Sequence, residues 1–174
     1  MATDPPKAHS IDRAPLSGPV ADHVTLTYEA RFLRRKKLTS DHGQSFFVDL
    51  PETTHLNAGD AFVLTDGARV SILAAAEPLL AVTGQDLTRL AWHIGNRHTP
   101  CQIEADRLLI QVDHVLADMV AKLGGTATPV TEPFTPEGGA YGHGRTMGHS
   151  HGPHDHDHDH GHDHDHHHHD HSHA

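Results

Sequence analysis

Fifteen of the chain's 22 histidines fall between Tyr141 and Ala174, in the string YGHGRTMGHSHGPHDHDHDHGHDHDHHHHDHSHA. They are His143, His149, His151, His154, His156, His158, His160, His162, His164, His166, His167, His168, His169, His171 and His173. Neutral imidazole is the commonest protein ligand for nickel, copper and zinc, and the interleaved aspartates place carboxylates between the nitrogen donors. The string therefore reads as a metal collector. An expression tag is usually an uninterrupted histidine run, whereas here Asp, Gly and Ser break the run and His143 and His149 lie upstream of the dense block.

Only Tyr141 and Met147 in this string are large and apolar. Burial cannot then offset the roughly 1–2 kcal/mol of backbone entropy lost per ordered residue, so the tail is expected to be disordered. A flexible chain must be ordered around each ion, which makes binding loose and exchangeable. Its reach is about 5–6 Å times the square root of the residue number, or roughly 30 Å. Protons compete for the same nitrogens, so capacity should fall as pH drops through about 6.5.

The remaining 140 residues suffice for one ordinary domain or two small ones. Half of the formal charge of −10 belongs to this body, and Arg34, Arg35, Lys36 and Lys37 form its one basic cluster. A nucleic-acid partner would need many more phosphate contacts than that. The single cysteine, Cys101, allows no internal disulfide and fits a reducing compartment. The first twenty residues have no continuous apolar run of the signal-peptide kind, and no apolar stretch of 18 residues occurs, so the expectation is a cytoplasmic protein with no membrane partner.

Residues 1–22 are rich in Pro, Ala and charge without a period, and read as a flexible lead-in. From Val24, VTLTYEARF alternates; after a basic turn come SFFVDLP, LNAGDAFVLTDG and RVSILAAA, short strand-like runs bounded by Gly, Asp and Pro. This predicts an all-β unit over 23–76, with His42 and His55 in its loops. After Glu77 the pattern becomes strand (PLLAVTG), helix (DLTRLAWHIGNRH), two strands (CQIEAD, LLIQVD), helix (DHVLADMVAKLG) and strand (ATPVTEPF). That order is the ferredoxin-like βαββαβ module, over 77–136, with 137–174 as linker and tail. The fold class is therefore α+β.

In the first predicted helix Leu87, Leu90, Ala91 and Ile94 form the buried stripe. His93 and His98 are separated by about 140° around a helix, so one turn cannot present both to one ion. The module sets its two helices antiparallel on one face, which carries His98, at the end of the first, toward His114, at the start of the second. Cys101 opens an apolar strand and reads as a small buried hydrophobe. Asp113 reads as a helix N-cap. The chain has no GxxxxGK[ST], HExxH or CxxC, and no acid, base or nucleophile set accompanies the histidines, so it is not read as an enzyme and no catalytic residue is assigned.

The strings LNAGDAFVLTDG, AWHIGNRHTPCQI, LLIQVDHVLADMVAKLG and PFTPEGGAYGHG, followed by the histidine tail, go beyond pattern. In this order and spacing, from roughly Val24 to His173, the chain resembles the UreE family of urease accessory proteins, which act as nickel metallochaperones. The resemblance implies a β domain followed by a ferredoxin-like metal-binding domain, and a homodimer with the metal at the two-fold axis. It makes His98, in the GNRH string, a nickel ligand together with its copy from the second subunit. His114 matches a further family histidine, although Val112 stands where some members carry another. His93 matches a recurrent histidine of structural role. The implied cargo is Ni(II), with Zn(II) and Cu(II) as competitors in vitro, and the implied partners are a GTP-hydrolysing urease accessory protein and the apo-urease assembly complex. The alternative is a nickel storage or detoxification buffer, in which the tail is the function and the body only solubilises it.

Overall fold

The computed structural model describes residues 5–138. The expected tail, including all fifteen of its histidines, lies outside these described residues. Two sheets follow one another along the chain, the second carrying two helices on one face.

The first sheet contains β1 (Lys7–Asp12), β2 (Asp22–Leu26), β3 (Phe32–Thr39), β4 (Ser45–His55), β5 (Ala61–Leu64) and β6 (Arg69–Ala74), in the order β2-β6-β5-β1-β4-β3. Its curl follows from period-two burial: Val24 and Leu26 on β2, Phe46, Val48 and Leu50 on β4, and Val70 and Ile72 on β6 meet Ala8, Leu33, Leu38, Leu56 and Phe62 in one apolar core. Phe46 and Phe62 pack with ring centroids 5.6 Å apart.

Two expectations are corrected in this sheet. The residues 1–22 are not all a lead-in, because Lys7–Asp12 is an interior strand, parallel to β4 and antiparallel to β5. A register shift between Ala8 and Ser10 breaks the alternation there, and Ala8 is the one side chain of β1 that is fully buried, so the strand has no readable period. The segment after it is tied down as well. Asp12 accepts from Ser17 Oγ at 2.7 Å and from Arg69 Nε at 2.7 Å, and these bonds hold its carboxyl at about 2, below the usual carboxylate range. Buried Asp60 accepts from Arg13 Nη1 at 2.6 Å and from the Ala14 amide at 3.2 Å.

The second correction concerns the basic cluster. Arg34, Arg35, Lys36 and Lys37 form no turn but the middle of β3, which lies at the sheet edge. All four are exposed, and an edge strand bearing Lys and Arg is protected against pairing with another chain. His42 does lie exposed in the β3–β4 turn, where its Nδ1 is 2.6 Å from Asp22 Oδ1 and this bond raises its pKa. His55 differs from the loop expectation: it ends β4, half-buried, with its ring 5.1 Å from that of Tyr28.

The second sheet contains β7 (Ala76–Thr83), β8 (Cys101–Ile103), β9 (Leu108–Gln111) and β10 (Thr126–Pro133), in the order β10-β7-β9-β8 with every neighbour antiparallel. With α1 (Leu87–Gly95) after β7 and α2 (His114–Lys122) after β9, this is the ferredoxin-like arrangement. Leu90 and Ile94 of α1 and Leu116 and Val120 of α2 bury against Leu80, Val82, Leu108 and Ile110 of the sheet. Gly124, at φ 82°, ends α2 in the left-handed conformation that suits a residue without Cβ. At Gly125 a Cβ would stand 2.9 Å from Val120 Cγ1 and 3.0 Å from Leu90 Cδ1, so only glycine lets β10 start this close to both helices. No helix among the described residues is long and apolar enough to cross a membrane.

A third, smaller apolar cluster joins the sheets: Tyr28, from the link between β2 and β3, packs with Leu79, Ala81, Leu109 and Phe134. Tyr28 and Phe134 meet edge to face at 5.3 Å. The Tyr28 amide donates to Glu77 Oε2 at 2.7 Å, and the Arg31 guanidinium donates to the Phe134 carbonyl. Because Phe134 is fully buried, Phe134→Ala should cost about 3–5 kcal/mol. The denaturant midpoint checks this, and a cost near zero would mean that the two sheets do not support one another here.

Candidate metal centre

His98 is the third residue after α1. Hydrogen bonds from the Asn96 amide to Trp92 O (2.9 Å), from Arg97 to Ile94 O (3.1 Å) and from His98 to Gly95 O (2.9 Å) wind the chain tightly past the helix end. His98 then adopts φ 57°, the one positive φ among the described non-glycine residues. Histidine is among the side chains that enter this region with least difficulty, and Pro100 steers Thr99 toward extended backbone directly afterwards. The imidazole is exposed, at the tip of a corner in which the Asn96, Arg97 and His98 amides are all hydrogen-bonded.

His114 is the first residue of α2 and is also exposed. Asp113 caps this helix as expected, its Oδ1 accepting from the amides of Val115 (2.8 Å) and Leu116 (3.0 Å). Ile94, four residues before His98, and Leu116, two after His114, share one core cluster, so the two histidines extend from helix ends that pack on the same buried layer. Among the described residues, however, no group of three or more His, Cys, Asp or Glu side chains could hold a metal ion. The described part of one chain offers donors without a closed site.

His93 is half-buried, with its ring edge-on to Trp92 at 4.9 Å and 88°. Cys101 is half-buried at the rim of the helix–sheet core, and burial first, then the charge of Glu137, pushes its thiol up to about 11. Thiolate is the form that binds metals, so at neutral pH Cys101 is a poor ligand.

Sequence reading missed the apolar surface beside these histidines. Trp92 is 63% exposed, Val112 61% and Val115 49%, on α1 and around the start of α2. Val112 and Val115 straddle His114 and fall off the Leu116–Val120 stripe of α2, a signal that was available in the spacing. Exposed apolar groups mark an association surface where they form one contiguous patch.

Comparison with known proteins adds the following. Residues 6–75 match the UreE urease accessory protein N-terminal domain, and residues 77–174 match the UreE urease accessory protein C-terminal domain. The urease accessory protein UreE of Ruegeria pomeroyi is 60% identical over 148 residues, covering 85% of this chain and 99% of that protein. That of Rhodobacter capsulatus is 62% identical over 133 residues, covering 76% of this chain and 85% of the relative. That of Cereibacter sphaeroides is 63% identical over 137 residues, covering 79% and 75%.

One property of this corner can be checked without any substitution. At about pH 8 native Cys101 should react with a thiol reagent on the order of 100-fold more slowly than in the unfolded chain, because so little of it is thiolate. Equal rates in the two states would show that the thiol is neither buried nor raised.

Proposed function

This chain belongs to the UreE family of urease accessory proteins, and from that premise we propose that it is a metallochaperone that collects Ni(II) and donates it during assembly of the urease metal centre. It works by delivery and not by catalysis, as a homodimer in the cytoplasm. The observation that carries this reading is His98: an exposed imidazole on a backbone corner held by its own hydrogen bonds, beside exposed apolar side chains, in a body with too few donors to close a site alone.

A second copy supplies what is missing. Pairing the faces that carry Trp92, Val112 and Val115 across a two-fold axis covers apolar surface and sets one His98 opposite the other. Two nitrogens leave a nickel ion short of its four to six ligands, so tail imidazoles, with His114 near the same edge, complete the coordination. The site stays open to exchange. Ions pass by stepwise ligand substitution from tail to His98 and from there toward apo-urease, with the GTP-hydrolysing accessory protein providing the energy input. Zinc and copper compete for the same nitrogens, since affinity order alone does not favour nickel.

The experiment separates delivery from storage. His98→Gly removes the imidazole while suiting a φ of 57°, so it should fold like the parent. It should keep most of the bound nickel yet lower urease activation in limiting nickel by at least about tenfold, the loss seen when even an outer partner of a metal ligand is removed. Truncation after Gly142 should reduce nickel to about one ion per dimer, held by the symmetric pair. Full activation by His98→Gly, together with none by the truncated chain, would assign delivery to the tail and leave His98 without a role.

Capacity should also follow protonation. Moving from about pH 7.5 to about pH 5.5 crosses the ordinary histidine pKa of about 6.5, so most tail-bound nickel should be released over that interval. Equilibrium dialysis measures this, and retention of nearly all the metal at the lower pH overturns the picture of a loose collector.

A further inference from the structure

The outer face of the first sheet, at the end where β1, β4 and β3 adjoin, carries a concentration of positive charge that metal delivery does not use. Cross-strand pairing sets Lys37 beside Phe47 and Phe47 beside Lys7, so the three share one face. The Lys37 ammonium sits 5.8 Å from the centroid of the Phe47 ring, which is 38% exposed. Arg35 follows on the same face, bonded to Asp49 at 2.6 Å, while Lys36 and Arg34 line the free edge of β3. Lys7, Arg35, Lys36, Lys37 and Phe47 border an open trough of about 740 Å³. Five cations stand here against the two carboxylates of β4, Asp49 and Glu52, and the bond to Arg35 holds Asp49 below the usual carboxylate range.

The chain contains a segment of opposite charge. Residues 139–174 hold six aspartates and one arginine, a formal charge of −5 with histidine counted as neutral. The described chain passes Arg31 at Phe134 and is last held in the second sheet, where the Glu137 amide donates to the Cys101 carbonyl at 2.9 Å. The tail's composition gives a reach of about 30 Å, on the order of the dimensions of the folded body itself.

We propose that the metal-free Asp/His tail docks on the basic face formed by Lys7, Arg34, Arg35, Lys36 and Lys37 of its own chain. The contact is electrostatic and weak, with aspartates facing ammonium groups and histidine rings available to stack on exposed Phe47. Docking holds the tail along the first sheet and restrains a strongly charged segment from indiscriminate association.

The chain carries its own internal control, since its four lysines are Lys7, Lys36, Lys37 and Lys122, and Lys122 ends α2 in the second domain. Full-length protein, stripped of metal with a chelator, is treated at neutral pH and low concentration with a carbodiimide, which condenses carboxylates with lysine amines, and the products are mapped by mass spectrometry. The tryptic tail fragment following Arg145 should be joined to Lys7, Lys36 or Lys37 about tenfold more than to Lys122, and about 0.5 M NaCl should remove the preference. The double variant Arg34→Gln, Arg35→Gln keeps every lysine, and should lower linkage at the three sheet lysines several-fold without altering that at Lys122. Equal yields at all four lysines overturn the proposal, as does a preference indifferent to salt and to the double variant. An equal mixture of isotopically heavy and light protein supplies the last arm. Heavy–light products would assign the face to a second copy and overturn docking within one chain.

Discussion

The two sheets are held at one point by a buried cation. Arg31 is 2% exposed, and burial pushes its pKa down because a guanidinium in such a place loses its hydration. The charge persists because Glu77 lies nearby, the Phe134 carbonyl accepts from it, and the Tyr28 ring stands 5.6 Å away. Each partner comes from a different part of the chain: Tyr28 from the first domain, Glu77 from the first strand of the second sheet, Phe134 from just after its last strand. Replacing Glu77 or Tyr28 leaves a buried charge short of compensation, which is costlier than never having buried it, whereas the Phe134 acceptor is backbone and survives substitution.

The helices and the second sheet were legible because their boundaries are written in strong residues. Asp86 and Asp113 cap the helices, Gly124 and Gly125 end the second one, and Leu90, Ile94, Leu116 and Val120 keep helical period. In the first sheet the same logic failed where burial is asymmetric. A strand with one fully buried small residue and a register shift, Lys7–Asp12, offers no alternation, and an edge strand such as Phe32–Thr39 can carry four consecutive cations because no core discriminates between its faces at the rim. Both misreadings come from reading a strand as a pattern of burial, whereas the hydrogen-bond ladder needs only backbone.

The candidate site shows a comparable division. His98 and His114 could be singled out by type and by helix-end position, and α1 and α2 do bring those ends onto one core layer. Left-handed backbone at His98 was not readable, since it depends on how the turn after α1 is wound between Ile94 and Pro100. Nor was the state of Cys101, whose raised thiol pKa reflects burial against the helices and a carboxylate 36 positions further on, Glu137. Residue type names a possible ligand, but the dielectric and charge around it decide whether it can act as one.

The backbone bond from the Glu137 amide to the Cys101 carbonyl, at 2.9 Å, and the bond from the Thr135 amide to Gln102 at 2.7 Å close the last strand before the first tail histidine is reached. The buried clusters are complete by Phe134. On the metallochaperone reading proposed above, metal capacity and the buried core are thus separate variables in this chain: a histidine gained, lost or moved beyond residue 142 would change how much metal the chain can hold without touching any of the three buried clusters. A repetitive tail is in that sense a dial that can be turned in small steps, on a body that does not register the turning.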